Sequence, residues 1–367
     1  MVVISHLRWE GVWQRPQQLI SRLASRHQRI WFIEEPVDAD VDEPCVEAQD
    51  FLGGALVRLR VARRPRGVWP SFRELEEDDT LAELLTASCA VERPLLWLYT
   101  PLGLPLGRRL APQQIVYDVM DDLASFRGAA EPMRLRHLQT LTEADVVFTG
   151  GRSLHRSVLQ HRRGQGITTC FPSGVDADHF AEASSARAPS RRPQVAAYVG
   201  VIDERLDLEL VARLARALPD WRIRMVGPVT KIEDAKLPRA ENLEYLGRRE
   251  YQELPGVLAD ADVGIMPFAL NDSTRSISPT KSLEYLAAGL PVVSTRVPDV
   301  VADLSGIAAL ADDALGFAEA CRAVAGTEPS PRAVELLASR AWTAIAASMA
   351  SLIDEKQSAL EPDEDIA

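Results

Sequence analysis

Residues 273–295 read STRSISPTKSLEYLAAGLPVVST, and within them Lys281 and Glu284 stand three positions apart. Ser278 has the character of a helix N-cap and Pro279 of a first helical residue, while Gly289 and Pro291 end the segment. The spacing predicts a helix opening at Ser278 with Lys281 in its first turn. A cation there faces the positive end of the helix dipole, which is unfavourable by about 0.3–1 kcal/mol. A bound anion reverses the sign, because the free N–H groups around Ser278, Thr280 and Lys281 and the ammonium group can share a phosphate. Glu284 lies one turn on, on the same face, where a carboxylate can accept from two vicinal hydroxyls of a ribose. The pattern is chemistry for a nucleoside diphosphate. The alternative is a solvent-exposed Lys–Glu pair at i, i+3, common on surface helices.

Other residues could hold charge or move a proton. IVYDVMDDLASF (115–126) places Asp118, Asp121 and Asp122 at the carboxyl end of a buried strand, where a carboxylate can take a proton from a hydroxyl. Helix capping by Asp121 or Asp122 is the competing use. SHLRWEGVWQRPQQL (5–19) reads as strand, polar loop and helix, with His6, Arg8, Trp9, Gln14 and Arg15 in or beside the loop. A lone histidine in such a place is structural as readily as catalytic. Lysine is scarce: Lys231, Lys236, Lys281 and Lys356 are the only ones among 41 basic residues. Lys231 follows VGP and, like Lys281, would serve as a compact point charge for phosphate. Arg205 is the one basic residue of GVIDERLD after Gly200; its competing use is an ion pair with Asp203 or Asp207. The DAD strings at 38–40 and 176–178 follow no strand that could face the Lys281 helix, so they read as structural and no metal is expected.

The elements that must position these groups alternate along the chain. Short apolar runs (VVIS, IWFIEEP, LLWLYT, IVYDV, DVVFTG, VAAYVG, RIRMVG, LEYLG, DVGIMPF and PVVST) have strand length, and helical patterns such as 206–218 and 313–325 separate them. Runs apolar at successive positions are expected of parallel strands buried on both faces, so the prediction is α/β architecture with ligands at the carboxyl ends of strands. A length of 367 residues is about twice a typical domain. The polar stretch 182–194 divides it into an N-terminal domain (1–181) and a C-terminal domain (195–334), with a cleft expected between them. A helix over 335–356, carrying Trp342, Ile345, Met349 and Leu352 on one face, is expected to pack back towards the N-terminal domain; 357–367 reads as a disordered acidic tail.

Composition limits the partners. A net charge of −12 argues against nucleic acid. Residues 1–180 carry 21 basic and 24 acidic groups, hence −3, leaving −9 for the remainder. Basic runs at 58–66 and 155–163 read as solvated surface, with a membrane-facing patch of the N-terminal domain as the alternative. Cys45, Cys89, Cys170 and Cys321 are scattered, as in a reduced cytoplasmic protein, and neither a signal peptide nor a bilayer-spanning run is recognisable.

SPTKSLEYLAAGLPVVSTRVPDV resembles the donor-binding segment of nucleotide-sugar glycosyltransferases with the two-Rossmann GT-B fold. YVGVIDERLD (198–207), WRIRMVGPV (221–229), LEYLGRREYQELP (243–255), FPSGVDADHF (171–180) and SHLRWEGVWQRPQQL (5–19) agree, in order, over nearly the whole chain. The likeness is to bacterial family-4-like transferases of cell-surface polysaccharide synthesis, such as the teichuronic acid type. It implies two Rossmann-like domains facing a cleft, no cofactor, no metal, and a nucleotide-sugar substrate, with UDP expected from the family. Gly200, Arg205, Lys231, Arg248, Ser278, Thr280, Lys281 and Glu284 would bind the donor, and His6, Arg8, Trp9, Gln14 and Arg15 would line the acceptor side. The acceptor implied is a hydroxyl of a polysaccharide, a lipid-linked glycan or a small molecule, at the cytoplasmic face of the membrane or free in the cytoplasm. One position departs from the pattern: retaining relatives often carry a second Glu eight residues before the one matching Glu284, and here it is Ser276. Asn271, Thr274 or Arg275 would then replace its sugar contact, and the balance shifts towards inversion with Asp121 or Asp122 as base. A sugar-nucleotide epimerase or phosphorylase of the same plan, and a non-catalytic nucleotide-sugar binder, are the rival readings. A dinucleotide-dependent dehydrogenase is disfavoured, since no GxGxxG follows a strand.

Overall fold

The computed structural model of the protein describes residues 1–358 except 12, 122–130, 163, 165, 187–192, 273 and 275–279, with only the backbone of 357 and 358. It contains two units: Met1–Gly150, Leu154–Phe171 and Trp342–Ala367 in the first, Gly151–Ser153 and Pro172–Ala341 in the second. The division at 171/172 precedes the polar stretch that composition singles out. Helix Ala177–Ala186 belongs to the second unit because Phe180 and Ala183 enter its core. Residues 187–192 of the expected linker and 359–367 of the expected tail lie outside the described residues.

The first unit is built on a nine-stranded sheet. Its strands are β1 (Val2–Ser5), β2 (Ile30–Glu34), β3 (Val37–Asp38), β4 (Cys45–Phe51), β5 (Leu56–Arg63), β6 (Leu95–Leu98), β7 (Gln114–Val119), β8 (Val146–Thr149) and β9 (Ile167–Cys170). The order is β3-β5-β2-β1-β6-β7-β8-β9, parallel throughout, with β4 added antiparallel to β5. Side chains alternate across a strand, and that alternation makes two cores. Val2, Ile4, Leu96 and Leu98 fill one face, while Val3, Trp97 and Phe148 fill the other. The second face is closed by helix Arg15–Leu23 through Leu19, Ile20 and Leu23, and by helix Trp342–Ser358 through Trp342, Ile345, Met349 and Ile353. The spacing of the latter four is that of one helical stripe.

The second unit has six parallel strands: β10 (Val195–Val199), β11 (Arg222–Val226), β12 (Leu243–Gly247), β13 (Val263–Met266), β14 (Val292–Thr295) and β15 (Ala309–Ala311). Their order, β12-β11-β10-β13-β14-β15, reverses direction between β10 and β13. Such a reversal opens a crevice at the carboxyl ends of the two strands, the place where open α/β sheets bind ligands. The first unit has the same kind of reversal between β1 and β6.

Candidate functional site

In the C-terminal unit the switch point is bounded by the turn after β10 and by helix Lys281–Ala287, which follows β13. This helix is pressed onto the sheet. The ring of Tyr285 lies over Gly264 of β13, where any Cβ would come within 2.3 Å of it. The Tyr285 hydroxyl also accepts a hydrogen bond from the Val199 N–H at 2.8 Å. Leu283, Tyr285 and Leu286 are buried, so the remaining helix face presents Lys281 and Glu284, both half-buried. At the far end Gly289, with φ 72°, forms the stop expected from sequence. Its N–H bonds the Leu286 carbonyl at 3.0 Å and the Leu290 N–H bonds that of Tyr285 at 2.8 Å, the paired closure of a Schellman motif. Ser278 and Pro279 lie outside the described residues; Thr280 occupies the cap position, and its carbonyl accepts from Leu283 and Glu284.

Gly200 is required by what crosses it. A Cβ there would stand 1.9 Å from Lys281 Cε and 2.7 Å from Nζ, and its φ of +149° is one that other residues rarely adopt. The Lys281 ammonium therefore runs across the end of β10, 5.8 Å from the centroid of the Tyr198 ring. Tyr198 is buried, so a cation over its face is held in partly desolvated surroundings. No ion pair joins Lys281 to Glu284, unlike the surface pair that spacing alone allows. Glu284 makes no side-chain hydrogen bond among the described residues, and burial pushes its carboxyl up to about 7 against the opposing charge of Lys281. A carboxylate so placed is an acceptor without a donor.

The neighbouring turns are tied to this one. Ile202 N–H bonds Pro228 O at 2.9 Å and Thr230 N–H bonds Ile202 O at 3.0 Å, which brings Lys231 to Glu204 at 3.8 Å. Arg205 is held by both oxygens of Asp203, with Nη2 to Oδ2 at 2.7 Å and Nε to Oδ1 at 2.9 Å. That is one of the two ion pairs that sequence allows. Arg248 stands one residue beyond Gly247, whose carbonyl accepts from the Gly227 N–H at 2.9 Å. It follows β12, two strands away from β10, and pairs at the surface with Glu250. Thr274 is buried and engaged with Asn271, whose N–H it accepts at 3.1 Å and to whose side chain its own N–H donates at 3.2 Å. Arg275 and Ser276 lie outside the described residues.

The carboxyl edge of the N-terminal unit sorts its candidates differently. Arg15 is buried, donating from Nε to both oxygens of Asp118 at 3.1 and 3.0 Å and from Nη1 to the Phe171 carbonyl at 2.8 Å. Arg15 and Asp118 thus join the ends of β7 and β9, while Nη2 of Arg15 is buried with no hydrogen-bond partner among the described residues. Trp9 is core: it is 4% exposed and packs on Phe32, Trp13 and Phe51 with centroids 5.1, 5.9 and 6.0 Å away. Arg8 holds the turn after β2 through Glu34, the Glu35 carbonyl and the Pro36 carbonyl. Gln14 caps helix Arg15–Leu23 in a capping box with Gln17. His6 and Asp121 remain. Nδ1 of His6 is buried without a partner, and burial lowers the imidazole below its ordinary value while Asp121 and the Tyr99 backbone oppose the shift. Asp121 is half-buried, and Asp122 lies outside the described residues. A carboxyl that sequence reading passes over is Glu35, at the end of β2, which burial raises to about 7 against the pull of Arg8. The doubled Glu in IWFIEEP was the available signal.

The arginines of the basic run 58–66 carry partners of their own: Arg58 and Arg60 face Glu47, Arg63 joins Asp38 and Glu74, Arg64 joins Asp42 and Arg66 joins Asp78. Among the described residues, no helix is long and apolar enough to cross a membrane.

Two parallel-sheet units of Rossmann type, with a charged site at the switch point of the second, have the α/β GT-B fold, and residues 194–326 match the family model described as "Glycosyl transferases group 1". A Bacillus subtilis (strain 168) protein named as a teichuronic acid biosynthesis glycosyltransferase, TuaH, is 30% identical over 240 residues; the match spans 59% of this chain and 59% of that protein's length. Among solved structures, sucrose-phosphate synthase from Thermosynechococcus elongatus superposes with a TM-score of 0.76 at 18% identity, covering 98% of this chain and 99% of that one. HepE of Anabaena, solved in complex with UDP and glucose, gives a TM-score of 0.71 at 14% identity, covering 96% and 99%.

Proposed function

We propose that the protein transfers a sugar from a nucleotide-diphosphate sugar, a UDP-sugar, to a hydroxyl of a glycan or lipid-linked acceptor. The observation that carries this reading is Lys281 crossing Gly200 at the switch point with the unpaired Glu284 carboxyl one turn further on. The ammonium would meet the diphosphate and Glu284 the ribose hydroxyls, while Arg205 and Lys231 stand on the adjoining turns. The group 1 domain covers this stretch, and the fold is shared with HepE, which was solved with UDP. In the reaction the acceptor oxygen bonds to the anomeric carbon, the bond from that carbon to the diphosphate breaks, and UDP leaves with the electron pair. The hydroxyl proton goes to a base of the N-terminal unit. Asp121 beside His6 is the described carboxylate free for that task, and direct displacement with such a base inverts the anomeric centre. No step calls for a metal.

Calorimetric titration with UDP tests the donor site. Lys281→Ala and Glu284→Ala are expected to weaken binding about tenfold or more each, the loss of one charge-assisted contact, with the fold intact by circular dichroism. Unchanged affinity in both variants would sink the assignment. NMR of the product tests the base: a retained anomeric configuration, or near-normal turnover in Asp121→Asn, would remove Asp121 from the mechanism.

A further inference from the structure

Trp69 is the most exposed large apolar side chain among the described residues, at 88%, and its neighbour Val68 is 60% exposed. The indole makes no ring or hydrogen-bond contact with any described residue. The chain before and after it is anchored. Arg63, at the end of β5, donates to Glu74 at 2.7 Å and to Asp38, and Arg64 reaches the Val41 carbonyl at 2.8 Å. Arg66 bonds Asp78 at 3.2 Å, and beyond Pro70 the chain enters the Ser71 capping box with Glu74. Gly67, with φ +72°, makes the turn between these anchors. Anchors on both sides of the turn limit the backbone ordering that binding at Trp69 would cost.

The loop leaves the carboxyl end of β5, a strand parallel to β2 and, through it, to β1. Trp69 thus belongs to the same sheet edge as His6 and Asp121. It stands six residues beyond Arg63, and β5 itself is two strands from β1 in the sheet. Charge selects among the partners a bare indole could take. Residues 36–43 and 74–79 carry nine carboxylates against four arginines in 63–73, and Arg63, Arg64, Arg66 and Arg73 are all ion-paired. An anionic lipid surface is repelled by such a rim, whereas hydroxyl groups are donors to carboxylates. The electron-rich face of an indole attracts the slightly positive C–H face of a pyranose.

We propose that Trp69 is a stacking platform for a neutral pyranose unit of an oligosaccharide acceptor, one or more sugars removed from the reacting hydroxyl. The proposal rests on the glycosyl-transfer reading above and names its acceptor class. The test uses the full chain on an array of immobilised neutral hexose and N-acetylhexosamine oligomers and uronate oligomers, beside vesicles of phosphatidylglycerol and phosphatidylcholine. Trp69→Ala is expected to reduce retention on the neutral oligomers about tenfold or more, and Trp69→Phe to keep most of it. Leu315→Ala, which removes a 70% exposed apolar side chain from the C-terminal unit, is expected to change nothing. The thermal shift induced by UDP is expected to be equal in all four proteins, showing that each is folded. Equal retention by Trp69→Ala, no neutral oligomer retained by the wild type, preference for uronates, or loss confined to the vesicles would each overturn the platform. A wild type that ignores UDP while Trp69 still governs glycan retention would overturn the transfer reading and leave the platform standing.

Discussion

Glu284 shows how one residue can make ligand binding depend on pH. Its carboxyl is raised from 4.5 to about 7 because burial disfavours the charge, with Lys281 opposing. In the free protein this group binds a proton that the unfolded chain has already lost between those values, so its contribution to stability falls as pH rises through the window. Ribose hydroxyls need the carboxylate form, so binding runs the other way. The affinity for UDP-glucose, whose diphosphate diester does not titrate near neutrality, is expected to rise with pH to a plateau above about 7. In Glu284→Gln that rise is expected to vanish, and the stability loss between about 4.5 and 7 to shrink. Titrations from acid to mild base read both, and an unchanged pH profile in the Gln variant would assign the proton elsewhere. Lys281 and Glu284 were legible in sequence because a cation in a first helical turn is anomalous by itself. Tyr198, which lies beneath that cation, was hidden inside an apolar strand run.

The short helix Lys281–Ala287 has little stability of its own at seven residues. Its orientation comes from Tyr285, buried over Gly264 and bonded to the Val199 N–H. Gly264→Ala puts a methyl group into that ring contact. The expected cost is about 1–3 kcal/mol, typical of overpacking, read as a lower urea midpoint with an unchanged slope. Weaker UDP binding is expected to accompany it, since the helix carries both ligand groups. Wild-type stability in this variant would mean that the ring moves aside freely and does not set the helix. Sequence reading placed this helix, its Gly289 stop and its position after a strand. It had no access to the Gly264–Tyr285 contact, which joins residues 21 positions apart on separate elements. The same blindness affected the loop after β1, where the string gives no sign that Arg8, Trp9, Gln14 and Arg15 contact Glu34, Phe32, Gln17 and Asp118.

At the scale of the whole molecule, the chain returns to its first unit at its end. Trp342, Ile345, Met349 and Ile353 are buried in the core that contains Leu19, Ile20 and Trp97. Removing residues 342–367 would expose that face, at about 1.5–3 kcal/mol for each large side chain uncovered. The truncated chain is expected to show faster amide exchange in 15–23 and 95–99 while 195–199 keeps its protection. Uniform protection of the first unit after truncation would show that the helix contributes no stability there. The α/β class and the alternation of strands and helices were determined by the sequence itself, and it singled out Lys281 and Glu284 as a candidate pair. Periodicity, caps and charge at a helix end act over a few residues, and a string preserves that range. Tertiary structure alone decided the strand orders with their two switch points, the division of the chain at 171/172, the passage of Lys281 over Gly200, and which polar residues of the first unit form ion pairs. These depend on residues tens to hundreds of positions apart sharing one volume, and no local pattern records which of them meet.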